Sequence, residues 1–154
     1  MRDRPARRGL SFDRGLHIRR RPPAPRMASL PPSLDDLELI AREQLSTILQ
    51  PFRPHLDGVV IRVDDFCDEE TEREMGLESP FDLLGLYRGV SLDRKSVSDP
   101  GGGPDMIFLY RRPILDYWCD IGDDLTRIVR HVLVHEIGHH FGLSDDDMHR
   151  IENG

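Results

Sequence analysis

The chain alternates between stretches with a clear apolar rhythm and stretches with none. After Ser33, apolar residues recur at helical spacing as Leu34, Leu37, Ile40, Ala41, Leu45, Ile48 and Leu49. Ser33, followed three residues later by Asp36, has the form of a capping box, in which each side chain satisfies a backbone donor at the helix start. Pro51 and Pro54 close this segment. Gly58 then precedes Val59-Val60-Ile61-Arg62-Val63, a β-branched run that predicts a strand. The acidic stretch from Asp64 to Glu78 follows neither period and reads as a loop with at most one helical turn. Leu83 to Arg88 and Met106 to Arg111 predict two more short strands, with Pro100, Gly101, Gly102, Gly103 and Pro104 as a turn between them. No Lys-Ser/Thr follows these glycines and no helix is predicted there, so they do not read as a phosphate cradle. Pro113 opens a short helix to about Cys119. Asp123 caps a longer helix to about Phe141, with Gly142 as its stop. Ser144 caps a last short helix, with Asp147 as its capping-box partner. The chain contains no internal repeat.

Before Ser33 the rhythm is missing. Residues 1–32 are dominated by Arg and Pro and bury too little to offset their ordering entropy, so they read as a disordered tail preceding one folded domain at 33–154. Met27 offers a second start, so residues 1–26 are either an over-extended start or a basic tail. Charge separates the same two parts. Residues 1–26 hold nine Arg against two Asp, or +7, whereas the whole chain carries −7, leaving −14 on the rest. A folded part of that sign repels nucleic acid, and only the tail could contact it. A chain of 154 residues suits one domain with a core that needs no staples. No apolar run reaches the ~20 residues of a membrane span, and the Arg-rich N-terminus has no apolar stretch of a secretory signal. Cys67 and Cys119 have no CxxC spacing and read as reduced thiols of a cytoplasmic protein.

Five of the seven histidines lie between His131 and His149, and among them is His135-Glu136-Ile137-Gly138-His139. On a helix, positions four apart share a face, so His135 and His139 can offer both imidazoles to one metal ion at about 2.0–2.1 Å. Glu136 is turned by about 100° and suits a general base acting on water rather than a ligand. A catalytic zinc needs a third protein ligand and an open position. Six residues beyond His139, a straight helix would be about 9 Å away. Gly142 can turn the chain back, which makes Asp145 the candidate third ligand, with His149, one turn further, as the alternative. Acids also favour the first turn of a helix, which is the plainer explanation for Asp145. His140 points away from His139 and suits a supporting or surface place, and His131, one turn before His135, suits either a supporting or a solvated one. His131, His140, His149 and Arg111 are the candidates for stabilising an oxyanion.

The string HExxHxxGxxD resembles the zincin metallopeptidases, in the metzincin-like form with Asp as third ligand. The chain is more closely similar to a minimal zincin-like family of short bacterial proteins, through HEIGHHFGLS-D and the segments Leu83 to Gly89 and Ile107 to Pro113. The resemblance covers about residues 33 to 150. It implies an α+β fold with a small mixed β-sheet beside an active-site helix, a Zn2+ cofactor held by His135, His139 and Asp145, and Glu136 as catalytic acid/base. The chain departs from the larger enzymes, because Met148 is too close to Asp145 to serve as a Met-turn and no later segment forms a far cleft wall.

The implied function is a zinc metallopeptidase acting on a peptide or protein substrate, with Met106 to Tyr110 as the expected sheet edge for an added substrate strand. Two other readings compete with it. One is a metal-binding module without turnover, and the other is an interaction factor whose Arg-rich tail docks on nucleic acid or an acidic partner.

Overall fold

A computed structural model describes residues 8–11, 30–48, 56–89, 104–144 and 146–148. The expected glycine turn at 101–103, Asp145 and His149 lie outside the described residues. Among the described residues the elements follow in the order β1 (Arg8–Ser11), α1 (Leu34–Ile48), β2 (Val60–Asp64), α2 (Glu69–Met75), β3 (Leu83–Arg88), β4 (Met106–Tyr110), α3 (Arg111–Ile121) and α4 (Leu125–His140). A 3-10 turn, Pro80–Asp82, leads into β3.

The strands form one mixed sheet in the order β1-β3-β4-β2. β2 runs parallel to β4, while β3 is antiparallel to both β4 and β1. β4 is therefore an interior strand and offers no open edge, which corrects the expected substrate position. Its run Met106-Ile107-Phe108-Leu109-Tyr110 is continuously apolar because both faces are covered. Ile107 and Leu109 enter the main core, while Tyr110 joins Leu83 and Leu86 in a second cluster, against which Phe108, Cys67, Met75 and Leu77 pack.

The main core lies between the sheet and the helices α1 and α4. It joins Leu37 and Ala41 of α1, Ile61 of β2, and Ile128, Val129, Val132, Leu133 and Ile137 of α4. Burying an aliphatic side chain of this kind contributes roughly 1.5–3 kcal/mol, so this stripe dominates what holds α4 to the sheet. The predicted cap of α1 is present: the Ser33 amide donates to Asp36 at 2.7 Å, and the Asp36 amide donates to Ser33 Oγ at 3.1 Å.

Three elements differ from expectation. The acidic stretch contains a true helix, α2, because the Asp68 side chain accepts from Thr71 N at 2.7 Å and Gly76 closes the other end at φ 64°. The cap of α4 is Asp124 rather than Asp123, since Asp124 accepts from Arg127 N, while Asp123 instead accepts from the Asp124 amide and pairs with the Arg127 guanidinium. Finally, Arg8–Ser11 is a strand within the stretch that composition reads as disordered. Its order comes from β3, whose outer edge supplies backbone partners that composition cannot reveal. Cys67 and Cys119 are both free, and no helix among the described residues is long and apolar enough to cross a membrane.

Candidate metal centre

α4 carries the histidine pair near its C-terminal end. His135 and His139 project from one side, with ring centroids 4.7 Å apart and planes at 87°. His135 is partly exposed and His139 is buried, so the pair sits where the helix leaves the core. Glu136, turned toward the sheet, is fully buried. It shares the sheet-facing stripe with Val129, Val132 and Leu133, as the 3.6-residue period requires.

Gly85 of β3 explains how a glutamate fits there. A Cβ at Gly85 would lie 2.6 Å from Val132 Cγ1 and 3.3 Å from Glu136 Cγ. The missing side chain lets α4 approach β3 closely and brings the Glu136 stem against the strand. A bulge helps to present this face, because Leu10 pairs with Gly85 and Ser11 with Leu83, leaving Leu84 as the extra residue. Sequence reading missed Gly85, although a glycine inside an apolar strand is a recognisable sign of close backbone approach.

The turn after α4 has the form that the sequence predicts. Gly142 takes φ 71°, its amide donates to the His139 carbonyl at 3.1 Å, and the Leu143 amide donates to the Gly138 carbonyl at 2.8 Å. This pair of bonds is a Schellman closure, which reverses the chain direction. Ser144 and Asp147 then cap each other reciprocally, at 3.2 Å in each direction. Met148 returns onto the motif itself: a Cβ on Gly138 would meet its Sδ, so Gly138 is a notch filled by the buried Met148. This contact was not anticipated from the sequence.

His140 is buried at the end of α4. It is 1% exposed, with Nδ1 3.3 Å from Tyr87 Oη and 3.8 Å from Asp105 Oδ2. Tyr87 in turn donates to Asp105 Oδ1 at 3.1 Å. The three residues tie the last turn of α4 to β3 and to the segment that enters β4. Arg111 donates to the Pro32 carbonyl at 2.6 Å and to Asp65 Oδ1 at 3.0 Å. It thereby anchors the segment leading into α1.

The donor set suits zinc as far as it is described. Two imidazoles on one helical face, one solvent-facing and one buried, match the preference of zinc for nitrogen ligands with an open side. His139 Nε2 and Glu136 Oε2 are buried atoms that make no hydrogen bond among the described residues, although both side chains have other interactions. Among the described residues no group of three His, Cys, Asp or Glu side chains converges on one point. Both expected third-ligand positions, Asp145 and His149, lie outside them.

Comparison with known proteins adds one result. The model of a family described as zincin-like metallopeptidase matches residues 56–154, which spans β2 through α4 and the whole histidine motif. No curated protein matches the chain.

Proposed function

The chain belongs to the zincin-like metallopeptidase family, and from that premise we propose that it is a zinc-dependent peptidase with Glu136 as general base. The carrying observation is the placement of His135 and His139 on one face of α4 with Glu136 buried beside them against Gly85. In this reading His135, His139 and Asp145 hold the metal. A zinc ion, when bound, supplies a Lewis acid that polarises the scissile carbonyl and lowers the pKa of water. Glu136 takes the proton from the attacking water and passes it to the departing amine. The dry surroundings of Glu136 strengthen each electrostatic contact it makes with the reacting atoms. The bare Gly85 leaves room for the glutamate stem against β3. The reversal at Gly142 supports Asp145 as third ligand, because it directs the following residues back toward α4. The substrate is a peptide or protein. A reducing cytoplasm suits its two free thiols.

Elemental analysis tests the metal, and a peptide-cleavage assay tests the chemistry. About one zinc per wild-type chain is expected, lost in His139→Ala and in Asp145→Ala. Glu136→Gln should retain zinc and lose hydrolysis by at least ~100-fold, the scale of a general base. Zinc retention together with unchanged cleavage in Glu136→Gln would remove Glu136 from this role. A wild-type chain that takes up no zinc would sink the reading as a whole.

A further inference from the structure

The strand order leaves β2 at the end of the sheet, on the side of β4 away from β3. α1 packs against β2, whereas the helix of the histidine motif packs against β3, β1 and β4. The pairing with β4 fixes which backbone groups of β2 face outward. The Val60 amide donates to the Asp105 carbonyl at 2.9 Å, so residues 60, 62 and 64 turn their backbone groups toward β4. Ile61 and Val63 turn theirs toward the outer edge. The side chains alternate between the two faces. Ile61 is buried and Val63 packs against the main core, while Val60, Arg62 and Asp64 share the other face. Val60 is 43% exposed. The Arg62 and Asp64 side chains are 61% and 37% exposed and pair with each other at 3.0 Å. Just beyond the strand, Phe66 packs edge-on against Phe81, itself a large apolar side chain open to solvent.

We propose that the outer edge of β2 pairs antiparallel with β2 of a second copy of this chain, about a two-fold axis at Val63. Charge selects both the partner and the register. With Val63 opposite Val63 of the second copy, Arg62 of each copy stands opposite Asp64 of the other, which gives two opposite-charge pairs. An axis at Arg62 would set two guanidinium groups opposite each other, and an axis at Asp64 would oppose two carboxylates; both are disfavoured. The favoured register also brings Val60 of each copy to the level of Phe66 of the other, so exposed apolar groups flank the charges at both ends. At the axis, the outward amide and carbonyl of Val63 bond reciprocally with those of the second copy. A two-fold contact must be complementary to itself, and a strand with opposite charges two residues apart meets that condition. Lysine on an edge strand discourages pairing with another chain, whereas the opposite signs at 62 and 64 make this one register attractive. The result is a sheet continuous through both copies, with each histidine motif outside the contact.

Sedimentation equilibrium of the full chain tests the contact, at 0.15 M ionic strength, where a Debye length of about 8 Å screens the repulsion between two acidic copies. Wild type should reach the mass of two chains. Arg62→Asp and Asp64→Arg each set like charges opposite one another and should weaken the dimer at least ~tenfold. An equimolar mixture of the two variants should restore it, because one chain then offers two acids and the other two arginines. The chain carrying both Arg62→Asp and Asp64→Arg should dimerise like wild type. Far-UV circular dichroism checks that each variant folds. If a reversal does not fold, Arg62→Ala with Asp64→Ala replaces it, and removal of the pairs should weaken the dimer at least ~threefold; unchanged association there overturns the proposal. A wild-type chain that stays monomeric overturns it, and so does a dimer indifferent to the reversals, whose interface lies elsewhere. Dissociation that the mixture does not reverse also overturns it, since the substitutions then act within each chain rather than across the axis.

Discussion

A single absent side chain decides where Glu136 stands. Gly85→Ala would place a methyl group 2.6 Å from Val132 Cγ1, so α4 must shift away from β3 or Val132 must leave its rotamer. The expected cost is about 1–3 kcal/mol in a denaturant titration, with a loss of hydrolysis larger than that instability explains. Unchanged stability and turnover would show that the close approach is not needed. The cysteines make a second residue-scale contrast. Burial pushes the Cys67 thiol up, with Glu72 and Asp68 adding to the effect, whereas Cys119 is exposed. Cys119 should therefore be alkylated before Cys67 at pH 8, as read by peptide mass mapping, because only the thiolate reacts. At this scale the sequence was most legible where spacing alone fixes geometry. The four-residue interval between His135 and His139 required a shared face, and the rings meet at 4.7 Å. The Tyr87–Asp105–His140 cluster was illegible, since its members come from three elements and meet only through the fold.

The elements show the same division between local and long-range causes. α1 and its cap follow from Ser33, Asp36 and an apolar stripe, all within one stretch of chain. Ser33→Ala should cost about 1 kcal/mol in thermal or denaturant unfolding. Hydrogen bonding, first from the Ser33 backbone and then from its side chain, holds the Asp36 carboxyl below the ordinary carboxylate range. A depressed folded pKa means that its contribution is present above the unfolded value and is lost as pH falls through the folded one. The destabilisation caused by Asp36→Asn should accordingly fade on acidification; a deficit independent of pH would contradict this. β1 and β4 were harder to read. Arg8-Gly9-Leu10-Ser11 has no strand pattern of its own and is ordered by β3. β4 was identified as a strand but assigned to an edge, although its unbroken apolar run is the mark of a strand covered on both faces.

For the whole molecule, charge is the property legible from sequence alone. Residues beyond 26 carry −14 against +7 in the first 26, so the part bearing the motif lies in a negative field. Such a field attracts divalent cations over long range and is screened by salt, with a Debye length near 8 Å at 0.15 M. The association rate of zinc with the metal-free chain should fall as ionic strength rises, as measured by stopped-flow with a chromogenic zinc indicator. A rate that ignores salt would place the attraction at the ligands alone.

Chain order adds a consequence in time. α4 follows β1, β3 and β4 in sequence, and it packs against all three. During synthesis the groove at Gly85 can exist before the helix that fills it, but the helix has no sheet-facing partner to seat Glu136 until β4 has been inserted between β3 and β2. In the proposed peptidase reading, the candidate metal centre is therefore completed only after the sheet that seats it. On that reading a nascent chain passes through its earlier stages with Glu136 not yet seated.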